Sequence, residues 1–269
     1  MIRMYRYSGA GNSFIVIDGR NVDVSRFRKR DTVHSLCLFN GTDGLMILDS
    51  SEKADFSMEY YNSDGSSGMM CGNGGRCIVA FADLLGVKPF HTQDYVFEAP
   101  DGIHRAMILS HLGECKVVRL EMRDVIGVKA VGDGWFLNTG TRHFVRFTDD
   151  VETVDVETIG RSIRQAPAFA PEGTNANFVS VCPDGSLKVR TYEKGVEAET
   201  LACGTGITAS AIAAYIKGVQ PFSCGQDGSV LYRIHARQDD LEVSFRPSGA
   251  GRFTEIFLTG PTLCEGEME

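Results

Sequence analysis

One short pattern, present twice, limits what this chain can fold into more than any other feature. Cys71-Gly-Asn-Gly74 and Cys203-Gly-Thr-Gly206 share Cys-Gly-x-Gly, and each runs into a small-residue stretch of helical period. Those stretches are Arg76-Cys-Ile-Val-Ala-Phe-Ala82 and Ile207-Thr-Ala-Ser-Ala-Ile-Ala-Ala214, about half of the 269-residue chain apart. The flanks repeat as well. An alternating, strand-like segment precedes each loop, Asp55 to Tyr61 and Leu187 to Tyr192. Three strand-like runs follow each helix: Tyr95 to Glu98, His104 to Leu109 and Lys116 to Glu121 in the first half, Val230 to His235, Leu241 to Phe245 and Glu255 to Leu258 in the second. An internal duplication accounts for this. The expected fold is α+β, with two pseudo-symmetric halves, residues 1–124 and 125–269, each a mostly antiparallel sheet wrapped around a central helix. The site is expected in the cleft between them. The helices, Val79 to Leu85 and Ala209 to Lys217, carry few charges and should be largely buried.

Composition removes several function classes. Hydrophobic residues make up 43% and charged residues 23%, enough for a core that needs no staple. The net charge of −8 offers no general attraction to nucleic acid or to an anionic membrane, so a small charged substrate must be captured locally. The stretch from Met1 to Asp18 mixes Arg3 and Arg6 with Tyr5, Tyr7, Ser8 and Gly9 and has no apolar signal core, and the most apolar helical run, Ile207 to Ile216, is too short to span a bilayer. A cytoplasmic protein is expected. Its eight cysteines show neither Cys-x-x-Cys nor zinc-type spacing, so no metal is expected. Most should be small buried apolar residues, Cys77 among them.

Cys71 and Cys203 differ from the others because each precedes a Gly-x-Gly that opens a helix. A first helical turn presents unpaired N–H groups and a partial positive charge. A thiol there loses its proton more easily, and a carboxylate can settle on the same N–H groups because glycine lets it approach. Two such loops around one pocket would hold an α-carboxylate with its α-carbon between two sulfurs. One sulfur, as thiolate, removes the α-proton; the other, as thiol, returns a proton to the opposite face. That inverts the centre without a cofactor, and a like pair serves both directions.

The two loops, together with Gly9-Ala-Gly-Asn12, Gly41-Thr-Asp-Gly44, Gly140-Thr-Arg-His143 and Pro171-Glu-Gly-Thr-Asn175-Ala-Asn-Phe178, resemble the diaminopimelate epimerase family, from Tyr5 to about Leu258. The resemblance implies interconversion of LL- and meso-diaminopimelate for lysine and peptidoglycan synthesis, a homodimer, and a last strand that packs back on the first half. It implies catalytic roles for Cys71 and Cys203, and thiol-tuning roles for His143 and Glu193. It also implies substrate contacts from Asn12, Asn62, Gly72, Asn73, Thr141, Asn175, Glu193, Lys194, Gly204 and Thr205. The chain departs from the family where Glu193-Lys194-Gly195 replaces Glu-Arg-Gly, since lysine keeps the charge but loses the bidentate fork. Thr141-Arg142-His143 replaces Asn- or Ser-Pro-His, and Asn12-Ser13 replaces Asn-Asp. These changes bear on the distal end of the substrate, where Arg142 could supply the missing guanidinium. They keep open a racemase of another amino acid, such as histidine, on the same fold. A thiol–disulfide redox protein is the alternative from a different class.

Overall fold

The computed structural model describes residues 2–90, 93–249 and 251–268. It divides into two compact units: the chain up to Leu120 with the stretch from Gly260 onward, and Glu121–Thr259.

In the first unit β1 (Met4–Gly9) and β2 (Asn12–Asp18) form an antiparallel hairpin. α1 (Arg30–Asn40) ends at Gly41 in the left-handed region and delivers β3 (Gly44–Asp49) parallel to β2. β4 (Phe56–Asn62) returns antiparallel to β3, and α2 (Gly72–Leu84) follows. β5 (Tyr95–Ala99) then runs parallel to β4, and β6 (Gly102–Leu112) and β7 (Cys115–Met122) complete an antiparallel meander.

The second unit repeats that order. Two short pieces, β8 (Val125–Ile126) and β9 (Lys129–Val131), lead to β10 (Gly134–Asn138), which pairs antiparallel with β11 (Arg142–Phe147). α3 (Val156–Arg164) carries the chain to β12 (Asn175–Val181), parallel to β11. β13 (Leu187–Glu193) returns antiparallel to β12 and is extended by β14 (Ala198–Thr200). After α4 (Gly204–Lys217) and β15 (Ser223–Cys224), β16 (Val230–His235) runs parallel to β13. β17 (Asp240–Pro247) and β18 (Arg252–Met268) close the meander. The fold is the expected α+β, with the same succession of parallel and antiparallel pairings in each half.

The central helices are short of charge because sheet surrounds them. α2 is buried from Gly72 to Ala82 and packs on β1, β2, β3 and β6. α4 is buried from Gly206 to Ala214 and packs on strands from β10 to β17. Each fully buried Ile, Val or Phe in such a position contributes ~1.5–3 kcal/mol relative to exposure. Outer cores lie under the crossover helices: Val33 and Cys37 of α1 on Ile15, Ile17, Leu45 and Ile47, and Val156 and Ile163 of α3 on Phe144, Phe178 and Tyr192.

Two elements exceed the expected ones. α2 begins at Gly72, at the Gly-x-Gly expected to open it and ahead of the low-charge run from Val79, because burial of the whole turn outweighs the poor helix propensity of Gly72, Gly74 and Gly75. The last strand continues from Leu258 to Met268 although Gly260, Pro261 and Gly266 weaken its β signal; β1 supplies the pairing, with Tyr5 opposite Glu267. Among the described residues, no helix is long and apolar enough to cross a membrane.

Candidate active site

Cys71 is the residue before the first turn of α2. Its backbone is extended (φ −106°, ψ 151°), and its Sγ accepts the Gly74 N–H at 3.2 Å, taking the place of the usual oxygen cap. Glycine at 74 makes room for this, since a Cβ there would lie 3.1 Å from Cys71 Sγ and 3.3 Å from Met46 Sδ. Asn73 is buried and its amide has one orientation. The Arg76 guanidinium can only donate, and its Nη2 lies 3.1 Å from Asn73 Oδ1. The Asn73 Nδ2 therefore donates to Asn12 Oδ1 at 2.7 Å, which turns the Asn12 NH2 away from Asn73 as a donor. Arg76, wholly buried, also donates to the Gly72 carbonyl at 3.0 Å. Asn62 lies at the end of β4, where its Nδ2 donates to Ser66 Oγ at 3.0 Å and its N–H to the Ser66 carbonyl at 2.9 Å. It holds a turn in addition to any contact with substrate.

Cys203 holds the same position before α4, also extended (φ −112°, ψ 104°) and 7% exposed. Its sulfur has a different neighbour. Thr205 Oγ1 lies 3.4 Å from Cys203 Sγ and 2.9 Å from His143 Nε2. Thr141 Oγ1 is also 2.9 Å from that nitrogen. The Thr139 hydroxyl donates to the Thr205 carbonyl at 2.8 Å and ties β10 to the first turn of α4. Gly204 and Thr205 open that turn as Gly72 and Asn73 open the other.

Asn175 organises the other predicted residues of the second unit. Its Nδ2 donates to the Arg142 carbonyl at 2.9 Å and reaches Thr141 Oγ1 at 3.3 Å, while its Oδ1 accepts the Lys194 N–H at 2.7 Å. Thr141, His143, Asn175, Lys194, Cys203, Gly204 and Thr205 are thus joined by hydrogen bonds or the chain itself. Glu193, half-buried, ends β13 opposite Ala198, next to Lys194. Lys194 Nζ lies 3.4 Å from the Glu172 carbonyl oxygen. Arg142 pairs with the Glu172 carboxylate through Nη1 and stacks on Phe136 at 5.1 Å.

His143 is completely buried, and burial pushes its imidazole down to about 3. This has a consequence for stability. Above pH ~6.5 the ring is neutral in both folded and unfolded chains. As pH falls the unfolded chain takes the proton first, so folding weakens by ~1.4 kcal/mol per pH unit down towards the folded value. Urea melts between pH 4 and 7 should show this slope, and His143→Gln should remove it. Equal slopes in the two proteins would mean that the folded ring is not held neutral.

Two residues with evident work here had no role in the sequence reading. Asn177 binds both His143 and the sheet beneath it, and Arg76 orients Asn73. The signal was available for Asn177: it stands two residues from Asn175, on the same face of a mostly apolar strand, and a buried amide requires partners.

The family model for diaminopimelate epimerase matches residues 4–118 and 135–255. A diaminopimelate epimerase of Flavobacterium psychrophilum is 41% identical over 265 residues, covering 97% of this chain and 96% of the relative. That of Aquifex aeolicus is 39% identical over 241 residues, 81% of this chain and 83% of the relative. Solved structures share the fold at low identity. A PhzF-family phenazine biosynthesis protein of Bacillus anthracis has TM-score 0.76 and 12% identity over 99% of this chain and 98% of its own. A hydroxyproline epimerase of Agrobacterium vitis has TM-score 0.65 and 16% identity over 99% of this chain and 90% of its own. With matches of this extent on both halves, the chain belongs to the diaminopimelate epimerase family and is an isomerase.

Proposed function

We propose that this enzyme interconverts LL- and meso-diaminopimelate by a two-base transfer through Cys71 and Cys203. The observation that carries the reading is that each half begins its buried central helix with a cysteine at the capping position, in a chain closely similar to diaminopimelate epimerases along nearly its whole length. The substrate α-carboxylate is held by the N–H groups of Gly72 and Asn73 and of Gly204 and Thr205, with the Asn12 amide as a further donor. One sulfur, as thiolate, takes the α-proton. The electron pair left on Cα spreads into the carboxylate, where the two helix ends stabilise it. The other sulfur, as thiol, gives its proton to the opposite face, so the centre inverts and the sulfurs exchange protonation states. The mechanism demands that both sulfurs reach one Cα.

Glu193 serves the thiols as a proton acceptor. His143 acts on Cys203 through the Thr205 hydroxyl, which lies between them. Asn62, Thr141, Asn175 and Lys194 recognise the distal ammonium and carboxylate. The working unit in this reading is a cytoplasmic homodimer that needs neither cofactor nor metal.

The test is incubation of LL-diaminopimelate with the enzyme in D2O, followed by chiral chromatography and NMR. Meso product should form with deuterium first at the inverted centre. Turnover of another amino acid, histidine for instance, with none of diaminopimelate would reassign the substrate. Thiol–disulfide exchange without isomerisation would overturn the reading altogether.

A further inference from the structure

We propose that Asn177 is a positioning residue for Cys203: by donating to His143 Nδ1 it keeps the ring proton on Nε2, so that the imidazole donates to the Thr205 hydroxyl oxygen and leaves its hydrogen for the sulfur. The proposal rests on the two-base reading for its catalytic meaning, but its geometry stands independently.

The proton on His143 can be located from its neighbours. Asn177 Nδ2 lies 3.0 Å from the Phe144 carbonyl and 3.1 Å from His143 Nδ1, and Asn177 Oδ1 lies 3.0 Å from Thr191 Oγ1. A backbone carbonyl only accepts, so the side of the amide facing it must be the NH2 group. The same NH2 group faces Nδ1, which therefore accepts. A neutral imidazole whose Nδ1 accepts carries its hydrogen on Nε2. That N–H faces the Thr141 and Thr205 hydroxyls, which are 3.2 Å from each other. Thr205 Oγ1, accepting on this side, has its own hydrogen left for Cys203 Sγ at 3.4 Å. In the opposite tautomer Nε2 would accept, and would draw the Thr205 hydrogen away from the sulfur.

A second observation points to the same amide. A Cβ on Gly206 would lie 2.3 Å from Asn177 Oδ1 and 3.3 Å from His143 Cε1. The last glycine of the second Cys-Gly-x-Gly thus admits the Asn177–His143 pair beneath the first turn of α4. In the first loop the equivalent glycine, Gly74, has Cys71 Sγ, Met46 Sδ and Met58 Cε for neighbours. Cys71 takes a backbone N–H, whereas Cys203 makes no capping bond of that kind and meets a threonine hydroxyl. The Cys71 sulfur thus takes a backbone donor, and the Cys203 sulfur meets a hydroxyl that belongs to a side-chain network.

Nitrogen-15 NMR of histidine-labelled protein reads the tautomer directly, with the His143 signal assigned by its loss in His143→Gln. The expected result is a neutral ring with the proton on Nε2 from pH 5 to 8. Asn177→Asp replaces the donor at Nδ1 by an acceptor. It should move the proton to Nδ1, lower kcat about tenfold with KM little changed, and give the pH–rate profile a limb that the parent enzyme lacks. Thr205→Ser should keep the parent profile and Thr205→Val should not. A wild-type ring protonated on Nδ1, or titrating near pH 6.5, overturns the proposal, as does an Asn177→Asp protein with the parent tautomer. The wild-type spectrum decides even where the variant does not fold. An enzyme inactive on diaminopimelate but with the expected spectrum would reject the proposed substrate and keep the positioning role.

Discussion

Cys71→Ser and Cys203→Ser should each lower diaminopimelate epimerisation by about a thousandfold or more, in proteins that remain folded. The size follows from the chemistry. A serine hydroxyl is not an anion at neutral pH and is a far poorer proton donor than a thiol, so each replacement removes one whole half of the transfer; single general acid–base groups are worth about a hundred- to ten-thousandfold. The fold survives because serine is itself a favoured capping residue at the start of a helix. Each variant keeps one sulfur and can still remove and return a proton on one face. One variant should therefore wash solvent deuterium into the LL isomer without inversion, and the other into the reacting centre of the meso isomer. Proton NMR of both substrates in D2O distinguishes them. A variant that epimerises at near the parent rate, or two variants with the same exchange preference, would rule out the two-base assignment.

Gly206→Ala has the second largest expected effect, and its size comes from packing. Its Cβ would stand 2.3 Å from Asn177 Oδ1, and that amide cannot yield without losing its bonds to Phe144, His143 and Thr191. Overpacking against a pinned polar group costs ~3 kcal/mol, more than the ~1 kcal/mol that alanine gains over glycine inside a helix. The matched change in the first loop, Gly74→Ala, meets Cys71 Sγ at 3.1 Å and Met46 Sδ at 3.3 Å. Both contacts call for a shift of only a few tenths of an ångström, and Met46 is flexible, so its cost should stay below ~1 kcal/mol. Urea denaturation of the two variants should separate them by about 2 kcal/mol. Equal losses would mean that the helix turn, and not the amide beneath it, sets the requirement at 206.

Much of the architecture was written in local pattern. The repeated Cys-Gly-x-Gly, the low-charge helical runs and the alternating flanks gave the succession of elements on both sides of the midpoint, because helix and strand periods and capping residues act over a few positions. The crossover helices α1 and α3 were not seen. Gly160 breaks the helical pattern of α3 in the sequence, and only the structure shows that the glycine admits Tyr192, whose Cβ would lie 2.4 Å from an added methyl. Local pattern stopped the last strand at Leu258, and only the family resemblance implied that it packs back on the first half, because its pairing partner, β1, lies at the other end of the chain.

The candidate site divides the same way. The residue types and spacing of the two loops by themselves determined which cysteines stand at helix starts and what proton chemistry such cysteines can do. Tertiary structure alone decided which partners surround the His143 ring, which way the Asn73 amide points, and that Arg142 pairs with Glu172. A hydrogen bond's direction depends on every partner around the group. Those partners come from strands far along the chain, brought together only once the sheet has closed around its helix.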